Sequence, residues 1–163
     1  MRPADTALLY EYNYWAQERI MRQVARLTPE QFAADAGYSW GGVGGTLAHI
    51  LGTEVAWRAR WQGQAATALA QPALATFAML AAAWVENVAA MWAYLDTVAA
   101  DDLDRDVPYV RQGQTYSHPL WTQLVHVVNH GTQHRSEVAV LLTDHGYSPG
   151  DIDFSLFMRG RGA

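Results

Sequence analysis

Apolar residues recur at helical spacing along four long segments of the chain. The first runs from about Asp5 to Leu27, where Leu8, Leu9, Tyr12, Trp15, Ile20 and Val24 fall close to a 3.6-residue repeat. It ends before Thr28-Pro29, because a proline disfavours helix for the residue ahead of it. The second extends from about Gly42 to Gly63 on Leu47, Ile50, Leu51, Val55 and Trp61. Gly41, Gly42, Gly44 and Gly45 read as a flexible lead-in to it. The third, about Pro72 to Ala100, is alanine-rich and strongly helix-prone, with Leu74, Phe77, Leu80, Trp84, Val88, Met91 and Leu95 along one side. Asp101, Asp102, Asp104 and Asp106 then mark a polar break.

Between Val107 and Ser117 the pattern changes. β-prone residues flank Gln112-Gly113, which predicts a short hairpin. The fourth helix begins near Pro119, suited to a first helical turn, and stops around His145-Gly146 with Pro149 beyond. Phe154, Leu156 and Phe157 in the tail are placed to lie against the rest. Four amphipathic helices with one longer connection predict an all-α fold, a four-helix bundle with a long crossover connection and a short hairpin before the last helix. The length of 163 residues suits a single domain over 1–163.

Composition narrows the chemistry. There is no cysteine, so disulfides and thiolate ligands are excluded and any metal must be held by nitrogen and oxygen. All basic residues are arginine, and without lysine a Schiff-base mechanism is ruled out. The net charge of −5, with no basic excess on one face, argues against a nucleic-acid partner. No apolar stretch reads as a membrane span and the first residues lack a secretory-signal layout, so the expected location is the cytoplasm. No phosphate-cradling glycine motif and no nucleophile elbow occurs.

The most informative residues are His126, His130 and His134, spaced four apart on the fourth helix. Each step of four turns the chain by about 400°, so the three imidazoles share one stripe, which Glu137 joins. Histidines at i and i+4 converge on one ion without disturbing the backbone hydrogen bonds. His49, set among apolar residues in TLAHIL on the second helix, is the natural complement, since an unpartnered imidazole there would be costly. The bland alternative for the pair His130 and His134 is two satisfied histidines. Glu137 either orients a ligand imidazole, completes a two-histidine-one-carboxylate site, or is a solvated helix-face residue. Glu54 lies well around the helix from His49 and reads as structural or surface. Arg135 reads as a carboxylate partner or a dimer contact, and His118 and His145 as loop or helix-end residues. Trp15, Trp57 and Trp61 are candidates for an interface or for the core.

Three stretches, YEYNYWAQERIMRQVARLTPEQF, TLAHILGTEVAWRARW and LWTQLVHVVNHGTQHRSEVAVLLTDHGYSPGDIDF, carry a resemblance. With Asn13, Trp15 and Arg19 in the first and an H-x-x-x-H-R signature at His130, His134 and Arg135, the chain resembles the DinB-like family. These are damage-inducible four-helix-bundle proteins related to bacterial thiol S-transferases and mycothiol-dependent maleylpyruvate isomerases. The resemblance implies that His49, His130 and His134 ligate a divalent metal ion, zinc or nickel ahead of iron, in a partly open site. It also implies a homodimer. His126, a turn away, would then line the pocket or support a ligand, or be a packed histidine. An open position predicts a small-molecule substrate and metal-dependent activation of a low-molecular-weight thiol, for transfer or isomerisation, or of a water for hydrolysis. The rivals are a metal-binding stress-response protein without turnover and, more remotely, a bis-histidine haem bundle.

Overall fold

The computed structural model describes residues 1–37, 40–65 and 74–161. Nine elements follow in chain order among them: α1 (Pro3–Val24), α2 (Pro29–Ala33), α3 (Val43–Trp61), α4 (Phe77–Leu95), α5 (Ala100–Leu103), β1 (Asp106–Arg111), β2 (Gln114–Pro119), α6 (Leu120–Asp144) and α7 (Phe154–Arg161). The protein is mainly helical, with one small antiparallel sheet.

Local chemistry explains where the elements begin and end. α1 starts two residues earlier than its apolar pattern predicts, because Pro3 suits the first turn and the Asp5 carboxylate accepts from the Arg2 backbone and guanidinium. α4 begins where Thr76 Oγ1 accepts from the Met79 N–H at 3.3 Å. The expected start at Pro72 lies outside the described residues. The predicted continuation to Ala100 is corrected: α4 stops at Leu95, and Thr97 Oγ1 donates back to the Tyr94 carbonyl at 2.6 Å. The aspartate run is more than a polar break, since it forms the single turn of α5 and buries Leu103 completely.

The hairpin is where the sequence places it. Gln112 and Gly113 both have positive φ, 51° and 77°, as the tight two-residue turn between β1 and β2 requires. Pro119 caps α6 rather than occupying its first turn. At the other end Gly146, at φ 81°, lets the Gly146 and Tyr147 amides bond back to Thr143 and Leu142.

The four long helices contact one another in a ring: α6 packs on α1 and α3, and α4 also packs on both. α7 lies against α1, where Phe157 is buried between Tyr12 and Trp15. The longest connection, from α4 to α6, carries α5 and the hairpin. α4 is the one described helix long and apolar enough to cross a membrane by length and composition, against the expectation that no segment is. It packs into the ring through Leu80, Trp84, Asn87, Met91 and Tyr94.

The core is divided. One apolar cluster centres on Tyr10, Met91, Leu103 and Leu124, the other on Ile20, Leu47, Leu80 and Leu142. Between them lies a buried polar network. Asn13 Nδ2 donates to Glu54 Oε1 at 2.8 Å, Asn87 Nδ2 to Glu54 Oε2 at 2.7 Å, and Tyr14 Oη to Glu54 Oε2 at 3.2 Å. Arg135 Nη1 donates to Asn13 Oδ1 at 2.7 Å. All four long helices thus meet at Glu54 of α3: Asn13 and Tyr14 of α1 and Asn87 of α4 bond it directly, and Arg135 of α6 reaches it through Asn13. Burial pushes the Glu54 carboxyl up, opposed by Asn13, the Arg135 guanidinium, Asn87 and Tyr14. Arg135 is fully buried inside the chain, so the dimer-contact reading is corrected: it reaches its carboxylate through Asn13. Gly131 makes room, since a Cβ there would lie 2.8 Å from Arg135 Nη1 and 3.0 Å from Asn13 Oδ1.

The glycines before and in α3 are also packing positions rather than a flexible lead-in. A Cβ on Gly45 would run into the Trp40 carbonyl oxygen, and one on Gly42 into that of Ala34. Gly45→Ala is therefore expected to lower stability by about 1–3 kcal/mol, the usual cost of overpacking, and to shift Trp40. A thermal melt and the tryptophan emission maximum check it.

Candidate metal centre

Helices α3 and α6 lie side by side, and their seam brings three histidines together. One ring nitrogen from each of His49, His130 and His134 lies within 4.8 Å of the other two. His49 Nε2 and His130 Nε2 are 2.9 Å apart. Two nitrogens on one zinc-sized ion, at about 2.0–2.1 Å each, stand roughly 2.9–3.4 Å apart for angles from right to tetrahedral. The His49–His130 pair is already at that spacing and the His134 nitrogen lies within 4.8 Å of both, so the three neutral imidazoles suit a divalent cation. The cluster sits at the α3–α6 seam, half-buried at His49 and His130 and buried at His134, while the interior of the helix ring holds the Glu54 network.

The remaining contacts fix each ring. His134 Nδ1 and Glu137 Oε2 are 2.8 Å apart, so Nδ1–H donates to the carboxylate and Nε2 is presented to the cluster. Trp40 stacks on His49, with ring centroids 3.7 Å apart and planes 14° from parallel. Burial pushes His49 down to about 4 and His130 down to about 3, with His134 adding to both and Glu137 opposing. Both rings are therefore neutral near pH 7, the form that ligates metal.

His126, one turn before His130, does not join the trio. It lines a cavity of about 490 Å³ that begins at His130 and runs between α3, α6 and the hairpin. Its ring lies 5.3 Å from that of Trp57, edge to face. Burial, then Arg111, lowers its pKa as well.

The DinB family model matches residues 1–162. The chain belongs to the DinB family. A relative, "Protein DinB" of Bacillus subtilis (strain 168), is 23% identical over 164 residues, covering 92% of this chain and 91% of the relative. The family match thus agrees with the resemblance carried by the three motifs.

The three histidines singled out in the sequence lie together, while several of their neighbours were misjudged. Glu54 is structural, as expected, and wholly buried rather than at the surface. Trp61 belongs to the core, where its Nε1–H donates to Gln123 Oε1 at 3.0 Å; Trp57 lines the cavity; Trp15 packs on Phe157 under Arg19. His118 lies in β2 and in the cavity wall rather than in a loop or at a helix end, while His145 is at the end of α6 as expected. Trp40 was missed, because it is brought to His49 by a turn and not by any helical repeat.

The depressed histidines make stability depend on pH. In the unfolded chain both imidazoles protonate near their ordinary value of 6.5, whereas the native rings stay neutral down to about 4 for His49 and about 3 for His130. The unfolded state therefore binds more protons across that window, and stability is lost as pH falls through it. Metal-free protein is expected to melt at progressively lower temperature from pH 6.5 towards 4. The slope should be shallower in His49→Gln/His130→Gln, which melts over the same pH series will show.

Proposed function

We propose that this DinB-family protein holds a divalent metal ion on His49, His130 and His134, with the side facing the cavity open to a small molecule. The observation that carries the reading is the convergence of three imidazole nitrogens from two helices beside a cavity that starts at one of them. Three protein ligands and an open position are the arrangement of catalytic rather than closed structural sites. When bound, the ion supplies Lewis acidity and makes a coordinated water or thiol more acidic.

The chain's own residues supply the rest. Glu137 accepts the His134 Nδ1 proton and holds that ring's free nitrogen towards its neighbours. Trp40 covers one face of His49 and keeps water from it. His126, an exposed imidazole on the cavity wall whose pKa is lowered, is placed to accept a proton from a molecule bound there. The ring of long helices is then a four-helix bundle with its reactive site at the α3–α6 seam. Zinc, nickel and iron all accept imidazole, and the absence of cysteine removes the thiolate ligands that would narrow the choice.

Two reactions suit this site: activation of a low-molecular-weight thiol for transfer or isomerisation, and activation of water for hydrolysis. The likeness to thiol S-transferases favours the first. The test is to load the protein with zinc, nickel or iron and screen thiols with electrophilic acceptors, alongside ester and amide hydrolysis. Metal-dependent turnover lost in His134→Ala supports catalysis. Equal rates in wild type and variant remove it and leave a metal-binding protein without turnover.

A further inference from the structure

The cavity beside the histidines has a charge that the rest of the protein does not predict. The chain carries a net −5, yet among the described residues no aspartate or glutamate lines this cavity, and two arginines do, Arg60 from α3 and Arg111 from β1. Arg2, Arg22, Arg105 and Arg161 each pair with a carboxylate. Among the described residues, the side chains of Arg60 and Arg111 form no ion pair and no hydrogen bond. Guanidinium groups present planar forks of N–H donors that match a carboxylate, and both forks here are uncommitted.

The cavity's other walls are aromatic. The Arg60 guanidinium lies over the Trp57 ring, 4.8 Å from its centroid, which holds the cation in place while leaving its N–H edge for a ligand. Tyr109 meets Trp57 edge to face at 4.9 Å. The volume, about 490 Å³, lies in the range of small-molecule sites. An inorganic anion would leave the aromatic surfaces bare, whereas a flat organic anion uses both features.

We propose that this cavity takes a small organic carboxylate with a flat, unsaturated or aromatic body. Its carboxylate sits on Arg60 and Arg111, its body lies against Trp57 and Tyr109, and its far end is directed to His130. This names the substrate class of the site described above, and its catalytic meaning rests on the reading of the histidine cluster as the reacting centre. Its affinity does not, because the two arginines belong to the chain itself.

The test is calorimetric titration of the chelated, metal-free full chain with benzoate, with its neutral isostere benzamide and with inorganic phosphate. Benzoate is expected to bind saturably, benzamide at least about tenfold more weakly because it loses the charge-assisted hydrogen bonds, and phosphate at least about tenfold more weakly because it leaves Trp57 and Tyr109 uncovered. Arg111→Gln, an exposed change on the hairpin, should weaken benzoate by at least about tenfold while leaving the melting temperature and zinc binding as in wild type. Equal binding of benzoate and benzamide, or benzoate binding unchanged in Arg111→Gln, overturns the proposal. Phosphate binding as tightly as benzoate overturns it too, replacing the class by inorganic or phosphoryl anions. Zinc titrations of the same samples keep the two readings apart: benzoate binding without zinc binding sinks the metal centre alone, and the converse sinks the carboxylate site alone.

Discussion

His130→Ala is expected to abolish the thermal stabilisation that zinc or nickel confers on the wild-type chain. The three candidate ligand rings form a nearly equilateral triangle, with centroids 4.8 Å apart for His49 and His130, 4.5 Å for His130 and His134, and 4.8 Å for His49 and His134. Removing His130 leaves two imidazoles where three converged. A ligand that binds the native state alone stabilises by RT ln(1 + [L]/Kd), about 2.7 kcal/mol at a hundredfold excess over Kd. At about 2–4 °C per kcal/mol for a chain of this size, that is a rise of roughly 5–11 °C. The metal-free melting temperatures of the two proteins serve as reference, because losing a half-buried, neutral imidazole changes packing too. Glu137→Gln should behave differently. It keeps a hydrogen-bonding oxygen near His134 Nδ1 but removes the charge, and loss of such a partner typically weakens metal binding by about 10–100-fold without abolishing it. Melts with and without metal, read with a calorimetric Kd, separate the two variants. A metal-dependent rise in His130→Ala as large as in wild type would remove His130 from the site.

The other large effect concerns stability alone. Arg135→Ala is expected to destabilise the native state by about 3–5 kcal/mol, a fall of roughly 6–20 °C in melting temperature. Both Arg135 and Glu54 are fully or almost fully buried, and Asn13 bridges them. Truncating the arginine leaves the Glu54 carboxylate enclosed without its countercharge and leaves Asn13 Oδ1 without its donor. Glu54→Ala should cost a similar amount from the other side. Replacing both at once, as Glu54→Leu/Arg135→Met, should cost less than the sum of the singles, because paired charges removed together leave neither stranded. Chemical denaturation of the four proteins gives the coupling. Additive losses would mean that the two groups act independently.

The sequence was most legible where one element carries the whole pattern. The i,i+4 repeat on α6 placed His130 and His134 on one face without any knowledge of the fold, and Gln112-Gly113 announced its turn through the φ values that such a turn demands. His49 needed one further inference, that an imidazole among apolar neighbours requires a partner. What was not legible depends on contacts between elements. Trp40 reaches His49 from outside any helix, and Arg60 and Arg111 come from a helix and a strand about fifty residues apart. Glu54 read as structural or surface and Arg135 as a carboxylate partner or dimer contact, with nothing to join them; their shared burial follows from four helices converging at one level, a property no single helix contains. The glycines near α3 misled because a close backbone approach and a flexible joint call for the same residue.

The claim on which the functional account depends is that one cation is shared by imidazoles from α3 and α6 and keeps an exposed coordination position. X-ray absorption of protein carrying one equivalent of zinc reads this directly. The account predicts three imidazole nitrogens at about 2.0–2.1 Å plus at least one oxygen from solvent, falling to two imidazoles in His49→Ala. A shell with two or fewer imidazoles in the wild type, or one unchanged in His49→Ala, would contradict it.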